Sequence, residues 1–180
     1  TKNLSIIRPT VVFGEGNRGN VYNLLRQIQS GKFMMIGTGK NRKSMAYVGN
    51  IAAYLEFAAA ATEGYRVVNY VDKPDFHMNT LVSKVRETLT GKKVVGLRVP
   101  FFLGLALGYV ADFFSWITGR TFPVSSIRVK KFCATTSFDS TVHDDHAGFV
   151  APYSLEEGLN RTLHSEFVSP DPKQEVFYTE

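Results

Sequence analysis

The stretch Ile6-Ile7-Arg8-Pro9-Thr10-Val11-Val12-Phe13-Gly14-Glu15-Gly16-Asn17-Arg18-Gly19-Asn20-Val21-Tyr22-Asn23-Leu24-Leu25 changes its hydrophobic period within a few residues. Up to Phe13 it is β-branched and apolar, a buried strand from Leu4 to Phe13, and three glycines then break it. After them Val21, Leu24, Leu25 and Ile28 fall on one helical face, with Asn20 as the expected cap and Gly31 as the stop. A strand, a glycine turn and a helix are the setting of the dinucleotide fingerprint, and Gly14 to Gly19 matches GxGxxG. The acid that would bind ribose hydroxyls about 20 positions on is missing. Gly37, Thr38, Gly39, Lys40 and Arg42 stand there instead, and Asn17, Arg18 and Asn20 are bulky where backbone must approach a phosphate closely. The loop is therefore set aside as a cofactor cradle. A 2′-phosphate on the basic residues survives as a minor alternative.

Outward from this stretch, strands and helices alternate. Phe33 to Ile36, Ser44 to Val48, Tyr65 to Val71 and Lys93 to Arg98 read as strands. Asn50 to Ala61, Asn79 to Leu89, a basic helix capped by Ser125, and Leu155 to Glu166 behind a Ser154/Glu157 capping box read as helices. This alternation predicts an α/β domain with parallel pairing. The tail from Ser169, with two prolines and alternating charge, is expected to be mobile. The opening TKNLSIIRP, a polar turn running straight into a strand with no initiator Met, reads as a cut inside a larger protein.

With 180 residues, 44% hydrophobic and 21% charged, the chain can bury a core of its own. Its net charge of +5 gathers in Lys40, Arg42 and Lys43, in Lys92 and Lys93, and in Arg128, Lys130 and Lys131. These clusters lack the interleaved aromatics of a nucleic-acid platform, so small anions such as diphosphates are the better partners. The single Cys133 excludes an internal disulfide, and no CxxC pair offers a zinc site; a reducing, cytoplasmic setting is the simplest reading. His143-Asp144-Asp145-His146 reads as a surface loop because adjacent ligands in a short turn cannot converge on one ion. No metal is expected.

Three sets of residues then carry a resemblance. Arg8 to Gly14 is followed by Gly19-Asn20-Val21-Tyr22-Asn23-Leu24-Leu25, and Gly37-Thr38-Gly39 by Lys43-Ser44-Met45-Ala46-Tyr47-Val48. Further on come Tyr70 to Asp75, Val124 to Thr136 and Gly148 to Tyr153. In order and spacing these motifs resemble the C-terminal part of the extended short-chain dehydrogenases/reductases of the epimerase/dehydratase group, over nearly the whole chain. The resemblance implies the last strands of a Rossmann sheet (residues 1–14) joined to a small α/β substrate domain that continues to residue 168. It also implies NAD, held mainly by an N-terminal half, and a sugar 4-epimerase acting on an N-acetylhexosamine diphosphate carried on undecaprenol, as in O-antigen assembly, or on UDP. A dehydratase of the same fold and a non-catalytic binding or membrane-attachment module are the alternatives.

By the same resemblance Pro9, Thr10 and Val11 are cofactor-side contacts, although many relatives have Asn where this chain has Val11. Asn20, Arg42, Lys43, Arg128 and Lys131 are implied as diphosphate-binding residues, with Lys43 standing where relatives carry an Arg. Such enzymes use a Tyr-x-x-x-Lys pair; no tyrosine here has a lysine four residues on, Tyr22 with Arg26 coming nearest, so no catalytic residue is expected in this fragment. The resemblance also allows a homodimer.

Phe101 to Thr118, FFLGLALGYVADFFSWIT, is apolar on nearly every side, is interrupted by Asp112, and falls short of the about 20 residues that span a bilayer. A buried core helix is the plain expectation. The other is an interfacial helix with Tyr109 and Trp116 near the headgroups, giving peripheral contact with the inner membrane.

Overall fold

A computed structural model describes residues 4–60, 64–120, 122, 124–140 and 148–178. The expected first strand divides at Thr10. Its first part, β1 (Leu4–Pro9), lies parallel to β5 (Tyr65–Tyr70), and its second, β2 (Val11–Phe13), lies parallel to β4 (Arg42–Tyr47) in another sheet. Pro9 has no N–H for a ladder, and the next amide, that of Thr10, makes the last bond to β5 by donating to the Tyr70 carbonyl at 3.1 Å. β4 carries an antiparallel edge strand, β6 (Asp72–His77), which the sequence hid behind Asp72, Lys73 and Pro74. Proline is tolerated there because an edge strand leaves one row of amides unpaired. A third, two-stranded pairing joins β3 (Met35–Ile36) to β7 (Arg98–Val99). The strand expected over Lys93 to Arg98 shrinks to this end, since Gly91 and Gly96 turn the chain with positive φ.

Three helices cover the β2-β4-β6 sheet. α1 (Asn20–Gln29), α3 (Met78–Thr90) and α6 (Leu155–Leu163) bring Leu25, Ile28, Leu81, Val82, Val85, Leu159 and Leu163 together with Phe13, Met35, Met45 and Tyr47 in one core. α2 (Val48–Ala59) closes a second, aromatic core against β1 and β5, where Tyr54, Tyr70 and Phe149 meet with ring centroids 5.0–6.4 Å apart. The buried Asn50 amide holds the segment around Tyr153 onto α2, donating to its carbonyl at 2.8 Å and accepting from its N–H at 3.0 Å.

α4 (Phe101–Thr118) and α5 (Ser126–Cys133) form a hairpin beside these cores. Their limits follow the sequence signals: Pro100 precedes α4, Gly119 in the left-handed region ends it, and the Ser125 hydroxyl caps α5 by accepting from the Arg128 N–H at 3.2 Å. The expectation of a buried core helix fails, however, because only Gly104 and Gly108 of α4 are buried.

Gly19, not Asn20, occupies the α1 cap position and Asn20 is the exposed first helical residue, without a side-chain cap bond. The tail expected to be mobile docks through residue 178 onto the glycine loop: Arg18 N–H donates to the Phe177 carbonyl and Phe177 N–H to the Gly16 carbonyl, both at 2.8 Å. The helix behind Ser154 ends as α at Leu163 and continues as a π turn, His164–Val168, that carries Glu166 inward.

Candidate functional site

The β3–β7 pairing and the C-terminal half of α5 enclose a cleft of about 870 Å³. Its floor is the turn Ile36-Gly37-Thr38-Gly39 with Asn41; one wall is Arg98 to Phe101, and the other is Lys130, Cys133 and Ala134. Gly39 has φ +64°, and a Cβ there would collide with the Asn79 amide, so glycine is required. Asn79 in turn fixes the turn from α3. Its side-chain nitrogen donates to the Thr38 carbonyl at 3.0 Å, and its oxygen accepts from Arg98 Nη2 at 3.0 Å, while Arg98 Nη1 donates to the same Thr38 carbonyl at 2.8 Å. Two of the guanidinium's five hydrogens are thereby used to aim it, and the plane stands in the cleft wall. On the opposite side Lys130 Nζ donates to the Tyr109 hydroxyl at 3.0 Å and lies 5.3 Å from the centre of that ring. Among the described residues no aspartate or glutamate lines the cleft. Two cations over a glycine turn make an anion-binding surface.

None of the residues carried over from the family lines this cleft. Lys43 lies beneath it, with Nζ donating to the Lys131 and Ala134 carbonyls at 2.9 and 2.7 Å and to Thr136 Oγ1 at 3.1 Å. It thus neutralises the C-terminal end of α5, where carbonyls point out without helical partners. Burial pushes its ammonium down from the ordinary lysine value, against the pull of the neighbouring Cys133. Arg42 is exposed on β4; Arg128 and Lys131 are exposed on the face of α5 turned away from Lys130 and Cys133. Asn20 stands at the start of α1, and Pro9, Thr10 and Val11 at the junction of β1 and β2; Pro9 and Val11 are exposed, and the Thr10 hydroxyl is buried without a partner among the described residues.

The sequence did contain a signal for Lys130. Val129 is the buried residue of α5, and the phase it sets brings 130 and 133 to one side. Arg98 and Asn79 carried no signal of their own, because a turn 41 residues away from Asn79 makes them functional. Cys133 is half-buried, donates to the Ile36 carbonyl at 3.4 Å, and burial raises its thiol above the ordinary cysteine value, Lys43 offsetting this in part. Burial thus disfavours the thiolate that a nucleophilic role would need.

The glycine loop Gly14–Gly19 is filled from within the chain. The Glu166 carboxylate accepts from the Gly16 N–H at 2.8 Å and from Arg18 Nε at 3.2 Å, and the tail takes the Arg18 N–H. A phosphate would have to displace a buried carboxylate from the same donors, so the described residues do not provide a dinucleotide cradle. The Tyr47 hydroxyl donates to Glu15, 2.9 Å from both carboxylate oxygens, and accepts from Arg161 Nε at 3.0 Å. Burial and the Glu15 charge raise its pKa to about 12, Arg161 opposing them. In β6, burial raises the Asp75 carboxyl, but hydrogen bonds from Ser137, Ser44 and Lys73 outweigh it and leave the group below the usual aspartate value. These contacts tie β4 to β6 and to α6. Among the described residues no group of acids, histidines and cysteines can hold a metal, and the cluster at residues 143–146 lies outside them.

A model of the 3-beta hydroxysteroid dehydrogenase/isomerase family matches residues 3–69. Over 99% of its length the chain is 55% identical to the N-acetyl-alpha-D-glucosaminyl-diphospho-ditrans,octacis-undecaprenol 4-epimerase of Escherichia coli O157:H7, and it covers 54% of that protein. Among solved structures, the UDP-glucose 4-epimerase of Thermotoga maritima, determined with UDP-glucose, superposes with a TM-score of 0.57 at 17% identity, covering 89% of this chain and 44% of that one. MoeE5 in complex with UDP-glucuronic acid and NAD gives 0.56 at 21% identity, covering 89% and 46%. The chain spans about half the length of these proteins. In sequence the chain is similar to about half of that 4-epimerase, and in fold to about half of these solved sugar-nucleotide proteins.

Proposed function

We propose that this chain is the substrate-binding part of an NAD-dependent sugar 4-epimerase, and that its cleft receives the diphosphate of an N-acetylhexosamine diphospho-polyprenol. The observation that carries this reading is the cleft in which Arg98 and Lys130 line opposite sides of the glycine turn at residues 37–39, with no acid beside them among the described residues. Arg98 suits one phosphate through its remaining hydrogens, and Lys130 a second as a point charge. NAD would supply the hydride acceptor at C4 and belongs to the rest of the protein, since the glycine loop here is occupied by Glu166. Pro9, Thr10 and Val11 would edge the nicotinamide through their backbone. Asn20, Arg42, Arg128 and Lys131 would add outer positive or polar surface along the path of the diphosphate. The same reading puts the protein at the cytoplasmic face of the inner membrane, as a homodimer touching the bilayer through residues 101–118, in the supply of lipid-linked amino sugar for O-antigen.

The test is an assay of the full-length protein with undecaprenyl-linked N-acetylglucosamine diphosphate and with UDP-N-acetylglucosamine, followed by sugar analysis. Conversion of the lipid-linked sugar is expected. Conversion of only the soluble one would transfer the reading to a UDP-sugar epimerase, and inertness toward both would end it. Arg98→Ala and Lys130→Ala should each raise KM by about tenfold to a hundredfold, the worth of one charge-assisted bond at about 1.5–3 kcal/mol.

A further inference from the structure

α4 is packed the wrong way round for a helix of a protein surrounded by water. Gly104, Gly108, Asp112 and Ser115 recur at intervals of three and four and form its inner side. A Cβ on Gly104 would lie 2.7 Å from Ile36 Cγ2, and one on Gly108 2.7 Å from Ser126 Cα. Asp112, its one charged residue, accepts from the Ser126 N–H at 3.0 Å, and Ser115 donates to the Arg120 carbonyl at 2.7 Å, so both polar groups are consumed inside the hairpin. The outer half holds the large residues: Phe102 is 68% exposed and Trp116 81%, with Leu107, Val110, Phe113 and Ile117 exposed between them. A contiguous apolar surface of this kind on a folded chain marks a surface made to meet something.

From this inversion, and resting on the reading of the cleft as a site for a lipid diphosphate, we infer that the outer half of α4 docks flat on an anionic leaflet and that substrate enters the cleft laterally, past Phe101. Charge selects the occupant. α5, packed along α4, carries Arg128, Lys130 and Lys131 and no acid, and Arg120 follows the end of α4. A helix whose outer half is apolar, in a hairpin whose second helix carries three cations and no acid, with Lys130 held at the Tyr109 ring, matches acyl chains beneath anionic headgroups. Although shorter than the about 20 residues typical of a spanning helix, its 18 residues, with a mean hydropathy of 1.5, still reach the length and composition that can cross a bilayer. Its middle nevertheless rests on the backbone of Ser125 and Ser126, and Tyr109 holds Lys130, so crossing would drag a basic helix into hydrocarbon. Lying flat costs none of this. Phe101 is both the first residue of α4 and a wall of the cleft, so a docked α4 brings the cleft mouth to the headgroup layer, where a polyprenyl diphosphate presents its phosphates.

The experiment is cosedimentation of the full-length protein with vesicles of phosphatidylcholine alone and of phosphatidylcholine mixed with phosphatidylglycerol. Binding to the anionic vesicles is expected. The triple variant Phe102→Ser/Phe113→Ser/Trp116→Ser should weaken it by about tenfold or more while keeping the wild-type thermal melt. Arg120→Glu/Arg128→Glu, which leaves the apolar face intact, should lose the preference for anionic over neutral vesicles. A wild-type protein that stays in solution, a triple variant that melts like wild type and binds as well as wild type, or a face occupied by a second copy with no vesicle binding would overturn the inference. Vesicle binding by a protein that epimerises neither sugar would leave the docking intact and remove the proposed function. Epimerisation of the lipid-linked sugar in detergent without vesicle binding would do the reverse.

Discussion

Lys43 directs all three of its ammonium hydrogens at the end of α5 and the residues just after it, and that is the reason this cation does not reach the cleft. Lys43→Met should lower the unfolding free energy by about 1–2 kcal/mol, because two helix-end carbonyls and a hydroxyl lose their partner at a partly exposed site. Chemical denaturation will measure this, and KM for the sugar diphosphate should change far less than in Arg98→Ala. The sequence displayed the charge of Lys43 but not its destination, since the carbonyls that hold it lie 88 and 91 residues away. Tyr47 gives a second test. Its phenol, at the ordinary value of 10 when unfolded, is raised to about 12 in the folded chain by burial first and by Glu15 next. The neutral form is therefore favoured on folding. Its contribution is fully present below pH about 10 and is lost as pH rises toward 12. Tyr47→Phe should remove that part of the alkaline decline from a stability–pH curve; an unchanged slope would show that Tyr47 titrates alike in both states.

Among the elements, those closed by backbone chemistry were the legible ones. Pro100 before α4, Gly119 after it, Ser125 before α5 and Ser154 before α6 are local signals, and each acts where it stands. β6 was invisible because an edge strand tolerates Asp72, Lys73 and Pro74 that a central strand would reject. The orientation of α4 was hidden for another reason: uniform hydrophobicity has no phase, and only residue size distinguishes its two sides. Gly108 makes that distinction testable. Gly108→Leu should drive α4 off the Ser126 backbone and destabilise the protein by about 1–3 kcal/mol, whereas Leu107→Ala, pointing outward, should stay within about 0.5 kcal/mol. Thermal melts of the two variants compare the faces directly, and equal losses would mean that α4 packs on another side.

At the scale of the whole molecule the α/β alternation was readable, but the division into a β1–β5 pair, a β2-β4-β6 sheet and a β3–β7 pair was not, because Thr10 transfers the chain between sheets inside one apolar run. The cleft was unreadable for a related reason: its walls come from segments near residues 36, 98 and 130, joined only by tertiary packing. The tail shows the same long reach. Removing the residues from Ser169 onward should expose the Arg18 N–H and the Gly16 carbonyl, lower the melting temperature, and speed amide exchange at Arg18; exchange as slow as in the full chain would mean that the tail does not hold the loop.

The inverted packing of α4 also governs how the protein behaves in a test tube. In water its outer half has only its own kind to meet, so concentrated, detergent-free samples should associate reversibly face to face, with an apparent mass that falls when mild detergent micelles are added. Such a species hides the surface intended for lipid. Vesicle binding per chain would then decline as the protein is concentrated, and light scattering beside the cosedimentation would separate that loss from denaturation.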